Sequence, residues 1–279
     1  MPRQLERNGL DASEASITDA AINRVISDYT REAGVRSLER ELGKVFRKVA
    51  TRIDAGELTP PVTVDEGVVR EGLGKPRFQF EEIMERTAVP GVATGLAVTG
   101  TGGDVLFIEA TALPGEPKAG LTLTGQLGDV MKESAQIALS YVRSHAHELG
   151  LEAGFGDKQV HIHVPAGAVP KDGPSAGVAM TTALVSLLSG RPVRSTVGMT
   201  GEVTLQGKVL PIGGVKQKVL AAKRAGLKEV ILPKRNEPDL DDLPPAVREE
   251  VNLHLVSDVT EALRIALEPA PARPVPVQL

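Results

Sequence analysis

The spacing of apolar residues changes once along this 279-residue chain, and this change constrains the fold more than any other feature. Before about residue 75, apolar side chains recur every three or four positions, which is the spacing of one helix face. Two such stripes are Ile22, Val25, Ile26 and Tyr29, and then Leu38, Leu42, Val45, Val49 and Ile53. After about residue 85, short runs rich in β-branched residues are separated by glycine and by amphipathic stretches, a pattern typical of strands and helices in alternation.

The sequence therefore predicts an α+β protein of two domains, which suits the usual size of roughly 100 to 200 residues per domain. We expect a small all-helical domain over residues 1–75 and a mixed α/β domain over residues 86–268. Residues 76–85 are assigned to a connector. The proline-rich stretch 269–279 is expected to be a disordered tail.

Composition excludes several classes of protein. The chain has no cysteine, which removes disulfides, thiolate metal sites and cysteine nucleophiles. A formal net charge of -4 argues against a surface built mainly for nucleic acid. No apolar run approaches the roughly 20 residues of a membrane span, and the first ten residues lack the apolar core of a signal peptide. We therefore expect a cytoplasmic protein that binds neither membrane nor nucleic acid.

The loop PKDGPSAG places Ser175 between two glycines, where a loop gives way to a helix. Glycines let a substrate carbonyl approach the backbone, and the N–H groups at a helix start can stabilise a developing oxyanion. This position favours a nucleophile. The alternative is a serine that only caps the helix, since serine is common at helix starts.

A nucleophilic serine needs a base, and histidine is poorly placed for that role. The only histidine after Ser175 is His254, which lies in an alternating, strand-like segment, so an esterase with a Ser-His-Asp triad is a weak alternative. His161 and His163 share one face of a predicted strand. They lack a clear third ligand, so no metal is expected.

Lysine is the remaining kind of base. On the predicted helix 215–225, Lys218 shares a small, apolar stripe with three other residues, whereas Lys216 and Lys223 share a more polar face. Burial disfavours the ammonium form, and lowering the pKa of a lysine from about 10.4 to near 7.5 corresponds to ~4 kcal/mol. Neutral Lys218 could then accept the serine proton. The alternative is a lysine that extends from the helix edge into solvent.

Residues 161–226, with HIHVPAGAVPKDGPSAG and MTGEVTLQGKVLPIGGVKQKVLAAKRAG, resemble the proteolytic domain of the Lon family of ATP-dependent serine proteases. The resemblance implies the fold of domain 2 of ribosomal protein S5. By position, Ser175 matches the nucleophile and Lys218 the general base of a Ser-Lys dyad. Thr200 matches a threonine that orients the lysine amine. Asp172 matches the acidic residue of the nucleophile loop, which shapes the site or its inactive form.

The segment DYTREAGVRSLERELGKVFRKVA resembles the small helical subdomain, or lid, of the Lon AAA+ module, in which Arg36 matches the sensor-2 arginine that contacts nucleotide. The chain contains no G-x-x-x-x-G-K-[ST] motif, so no cofactor is expected in this chain. The resemblance implies ATP and Mg²⁺ as cofactors of the full-length enzyme only.

The resemblance also implies the protein's activity and partners. We expect a serine endopeptidase, the proteolytic part of an ATP-dependent protease that degrades unfolded or damaged proteins. Unfolded polypeptides are its expected substrates and a ring of six copies its expected assembly. The alternative is a noncatalytic, ring-forming scaffold of Lon-like fold, against which the presence of both Ser175 and Lys218 argues.

Overall fold

The computed structural model describes residues 2–30, 32, 34–77, 86–114, 120–151, 158–165 and 170–269. Contacts divide the chain into two units. One comprises the described residues of Met1–Phe80 with Gly100–Gly102, and the other comprises those of Glu81–Thr99 and Gly103–Leu279. Residues 78–85 of the predicted connector and 270–279 of the predicted tail lie outside the described residues.

The first unit is mostly helical. Its elements in chain order are α1 (Pro2–Arg7), β1 (Ala15–Ile17), α2 (Asp19–Tyr29), α3 (Arg36–Asp54), β2 (Val62–Val64) and α4 (Glu66–Leu73). Helix α2 begins after Thr18, whose Oγ1 accepts a hydrogen bond from the Ala21 N–H at 3.1 Å. The predicted stripes on α2 and α3 meet in a core centred on Phe46, which is fully buried.

Two short strands also pair in this unit. Strands β1 and β2 run parallel, with Ala15 opposite Val62 and Ile17 opposite Val64. No local pattern predicts this pairing, because the residues that pair lie 47 positions apart. The helical unit therefore contains a small sheet as well.

The second unit alternates strands and helices. The strands are β3 (Val92–Thr99), β4 (Gly102–Pro114), β5 (Leu121–Thr124), β6 (Lys158–His163), β7 (Val197–Met199), β8 (Glu202–Val203), β9 (Val209–Leu210), β10 (Glu229–Pro233) and β11 (Asn252–Val256). The helices are α5 (Asp129–Ser144), α6 (Gly177–Ser189), α7 (Val215–Arg224), α8 (Pro245–Glu250) and α9 (Val259–Ala266). Two 3₁₀ segments, Pro174–Ala176 and Lys234–Asp242, complete the described elements.

Seven of the described strands form one mixed sheet in the order β11-β10-β7-β3-β4-β6-β5. Strands β11, β10, β7 and β3 are mutually parallel, β4 and β6 are antiparallel, and β5 runs parallel to β6. Strands β8 and β9 pair separately as an antiparallel hairpin. A helical unit followed by a mixed α/β unit confirms the predicted fold class.

Helices cover both faces of this sheet where it is parallel. Side chains alternate between the two faces along each strand, so each strand contributes to two cores. On β10, Ile231 belongs to the core beneath α5, α6 and α9, whereas Val230 and Leu232 belong to the core beneath α7 and α8. The core uses mainly Val, Leu, Ile and Ala, as expected for a chain with 3% aromatic residues.

Helix α6 is the most enclosed element of the unit. Every residue from Gly177 to Ser186 is buried, and apolar side chains occupy all sides of the helix. Its first residue has to be glycine, because a Cβ on Gly177 would lie 2.8 Å from the Val203 nitrogen. Among the described helices, none combines the length and the apolar character that crossing a bilayer requires.

Candidate active site

Ser175 lies in a single 3₁₀ turn, Pro174–Ala176, which leads directly into α6. We call this segment the nucleophile turn. The sequence predicts a helix from about Ser175, whereas the structure has this tighter turn before the α-helix begins at Gly177. The Ser175 carbonyl accepts hydrogen bonds from the Gly201 N–H at 2.8 Å and from the Thr200 Oγ1 at 3.1 Å. The strand end at residues 200–201 therefore holds the nucleophile turn by its backbone.

Lys218 is buried on α7, with only 3% of its surface exposed. The neighbouring Lys216 is exposed, and Lys223 reaches the surface to pair with Glu250 at 2.8 Å. The helical stripe thus identified the buried lysine correctly. Burial lowers the pKa of Lys218 from 10.5 to about 8. Because no ion pair among the described residues involves Lys218, no opposite charge offsets this desolvation, and a substantial neutral fraction exists near pH 8.

Thr200 connects the lysine to the nucleophile turn. The Lys218 Nζ donates a hydrogen bond to the Thr200 Oγ1 at 3.0 Å, and this hydroxyl donates to the Ser175 carbonyl at 3.1 Å. A hydroxyl has one proton, so once it is donated to Ser175 the oxygen can only accept from Lys218. Thr200 is fully buried, and its own N–H is bonded to the Ile231 carbonyl at 3.1 Å. We call this arrangement the Thr200 bridge.

The Thr200 bridge fixes the lysine amine without using the side chain of the serine. Among the described residues, no hydrogen bond joins the Ser175 hydroxyl to the Lys218 amine. Catalytic hydrogen bonds are commonly loose in a substrate-free site and tighten when substrate is bound. The geometry therefore holds the backbone of Ser175 and the amine of Lys218 on a common partner, the Thr200 hydroxyl.

Asp172 holds the nucleophile loop against α5. Its Oδ1 accepts hydrogen bonds from the Met131 N–H at 2.9 Å, in the first turn of α5, and from the Gly173 N–H at 2.8 Å. The carboxylate approaches α5 so closely that a Cβ on Gly128 would lie 2.3 Å from the Asp172 Cγ. Asp172 makes no hydrogen bond to Lys218 here. Its place is consistent with a role in shaping the site through the start of α5, where a negative charge is favourable.

Ser134 is a further contact that sequence analysis missed. This residue of α5 is 5% exposed, and its Oγ donates to the Pro174 carbonyl at 3.3 Å. The available signal was a polar residue within the apolar stripe of α5, which includes Met131, Ala135 and Ala138. The nucleophile turn is thus bonded on one side to α5 and on the other to the end of β7.

The three histidines considered in the sequence take part in contacts away from Ser175. His161 and His163 both bond to the Thr124 hydroxyl, at 2.9 and 2.7 Å, across the β5–β6 pair. His254 bonds to Glu229 on the adjacent strand at 2.9 Å and makes no hydrogen bond to Ser175. Within the described ranges, no cluster of three or more potential metal ligands occurs.

Arg36 belongs to the first unit. It is the first residue of α3 and is exposed, while the Glu32 carboxylate accepts hydrogen bonds from the N–H groups of Ser37 and Leu38 at 2.7 and 2.8 Å. The sequence contains no phosphate-binding loop motif.

Comparison with known proteins agrees with this architecture. Residues 63–269 match the model of the Lon protease (S16) C-terminal proteolytic domain, and residues 6–62 match the Lon protease AAA+ ATPase lid domain. The chain is 64% identical over 271 residues to a Lon protease of Salinispora arenicola, which covers 97% of this chain and 34% of that protein. It is 61% identical over 270 residues to a Lon protease of Mycolicibacterium smegmatis, with 97% and 34% covered. The chain spans about a third of the length of these relatives. On this evidence, the chain belongs to the Lon protease family.

Proposed function

We propose that this chain is a serine endopeptidase in which Ser175 is the nucleophile and Lys218 the general base. The observation that carries the proposal is the Thr200 bridge, which links a buried lysine of pKa about 8 to the backbone of a serine at the start of a buried helix. An unpaired, buried lysine is costly to maintain, and perturbed groups of this kind concentrate at functional sites.

The reaction proceeds through an acyl-enzyme. Neutral Lys218 takes the Ser175 hydroxyl proton as the serine oxygen attacks the peptide carbonyl carbon. The resulting ammonium then gives that proton to the leaving amine as the C–N bond breaks, which leaves an ester on Ser175. In the second half, Lys218 takes a proton from water, which attacks the ester, and the proton returns to the serine oxygen. Backbone N–H groups of the nucleophile turn are the candidates for stabilising the oxyanion.

Substrate and assembly follow from the family. We propose that unfolded polypeptides bind as extended strands, that six copies form a ring, and that the protein works in the cytoplasm. In the longer family members, ATP hydrolysis with Mg²⁺ would deliver the substrate. Arg36 is proposed to sense nucleotide only in that context.

The test is cleavage of a fluorogenic peptide and of an unfolded protein by the parent chain and three variants. Ser175→Ala and Lys218→Met should each abolish cleavage, whereas the matched Lys216→Met should retain it. A boronate that reacts with serine should inhibit the parent. If Ser175→Ala cleaves as fast as the parent while remaining folded, the nucleophile is wrongly assigned. If the parent neither cleaves nor reacts with the boronate but assembles into a ring by native mass measurement, the scaffold alternative is correct.

A further inference from the structure

A buried asparagine outside the dyad is bonded to the segment that precedes the lysine helix. Asn236 is 4% exposed and lies in the 3₁₀ segment that follows β10. The Ile212 N–H donates to its Oδ1 at 3.0 Å, and its Nδ2 donates to the Ile212 carbonyl at 2.8 Å. The Asn236 amide thus bonds both the N–H and the C=O of Ile212, as a residue on a neighbouring β-strand would.

The orientation of this amide is determined by a third contact. The Asn236 Nδ2 also donates to the Asp239 Oδ2 at 2.6 Å. Only the NH₂ end of the amide can donate to two oxygens, so the oxygen end must face the Ile212 N–H. The pairing with Ile212 is therefore specific to asparagine in this orientation.

Ile212 belongs to the four-residue segment between β9 and α7. Helix α7 begins after Gly214, which has no side chain and provides no capping hydrogen bond. The Lys218 N–H donates to the Gly214 carbonyl at 3.0 Å, so the position of Gly214 sets the first turn on which Lys218 lies. Helix α7 has no side-chain cap of its own, and the Asn236 contact two residues upstream of Gly214 restrains the chain where it approaches this helix.

Strand β10 and the segment after it bond both to Thr200, which accepts from the lysine amine, and to Ile212, which precedes the lysine helix. The Ile231 carbonyl of β10 bonds the Thr200 N–H at 3.1 Å, and Asn236, five residues later, bonds Ile212. Residues 231–236 are thus bonded both to Thr200, which accepts from the lysine amine, and to the segment that leads into α7.

From this arrangement, we infer that Asn236 is a positioning residue for Lys218, acting through Ile212 and the start of α7. The inference rests on the proposed function, because it assigns Asn236 to the geometry of the proposed base. Asn236 does not touch substrate or the reacting atoms. Its contribution is to keep the lysine amine on the Thr200 bridge.

The test compares Asn236→Ala with the parent chain in peptide cleavage. A misplacement of about 1 Å can cost on the order of 100-fold in rate, so we expect kcat to fall roughly 10- to 100-fold with little change in KM. Titration of the Lys218 amine by NMR, assigned with Lys218→Met, should give a pKa above the parental value near 8, because a displaced amine gains solvent.

A matched control separates positioning from general stability. The Ser186 Oγ also joins two backbone segments, accepting from the Gly91 N–H at 3.0 Å and donating to the Arg191 carbonyl at 2.5 Å. It lies roughly 16 Å along α6 from the nucleophile turn, at about 1.5 Å per residue. Ser186→Ala should lose comparable stability yet keep the parental kcat and Lys218 titration.

A second variant covers a failure of Asn236→Ala to fold. Asn236→Ser keeps a small polar side chain and places no charge beside Asp239, and it should lower kcat by a smaller factor. Parental kcat and parental titration in the Asn236 variants would overturn the inference, as would equal losses in Ser186→Ala. If the parent itself cleaves nothing, the proposed function fails, and the Lys218 titration alone still decides the role of Asn236.

Discussion

The pH dependence of peptide cleavage is the sharpest consequence of the buried lysine. With a pKa of about 8, Lys218 is neutral in about one molecule in ten at pH 7, in half at pH 8 and in about nine in ten at pH 9. If only the neutral amine accepts the serine proton, kcat/KM should rise about tenfold from pH 7 to pH 9 and then level off.

Other bases would give different profiles. A solvent-exposed lysine with an ordinary pKa near 10.4 would raise the rate about 100-fold over the same interval without a plateau, and a histidine near 6.5 would already have levelled by pH 8. The assay is the initial rate of cleavage of a neutral fluorogenic peptide between pH 6 and pH 10 at constant ionic strength, with folding monitored by circular dichroism. Lys216→Met should reproduce the parental profile. A half-maximal rate near pH 6.5 or above pH 9.5 would refute the assignment of Lys218.

Three further predictions concern the same site. Folding lowers the pKa of Lys218 below its unfolded value, so the unfolded chain binds more protons between about pH 8 and 10.5, and the free energy of unfolding rises with pH in this range. At pH 7, Lys218→Met should therefore be more stable than the parent by at most about 3 kcal/mol in urea unfolding. This difference should vanish near pH 10.5. A less stable variant at pH 7 would contradict this cost of burial. Thr200→Val removes both hydrogen bonds of the Thr200 bridge and should lower kcat at least tenfold, whereas Thr200→Ser should keep most of the activity; equal rates in the two would show that the hydroxyl is idle. Asp172→Ala should cost about 1 kcal/mol in thermal unfolding through the lost bond to the Met131 N–H, and Asp172→Asn should recover most of it.

Local patterns were sufficient to predict the longer helices, most of the strands and the identity of the buried lysine, but not the short helices α1, α4 and α8. Lys218 could be distinguished from Lys216 because the 3.6-residue period of a helix places them on different faces. The Thr18 cap is likewise a local feature, because its hydrogen bond reaches only three residues along the chain.

The contacts that were missed join residues far apart in sequence. The pairing of β1 with β2 spans 47 residues, and the bonds from Asn236 to Ile212 span 24. The spacing of apolar and polar residues cannot predict such pairs, because a hydrogen bond to a remote backbone group does not change the pattern of neighbouring residues. Thr200 was placed near the dyad by resemblance, and only the three-dimensional contacts reveal that it bonds the Ser175 carbonyl as well as the lysine.

The enclosure of α6 has a consequence for how the protein responds to partial unfolding. Amide hydrogens in the best-packed helices exchange with solvent only through the largest openings, whereas those of exposed turns and termini exchange through small, local ones. Because the nucleophile turn is continuous with a helix buried from Gly177 to Ser186, Ser175 is attached to a part of the second unit that we expect to open last. Fraying of the surface helices, such as α8, would leave the backbone of the nucleophile in place, so loss of cleavage on mild heating should coincide with the cooperative loss of the core and not precede it.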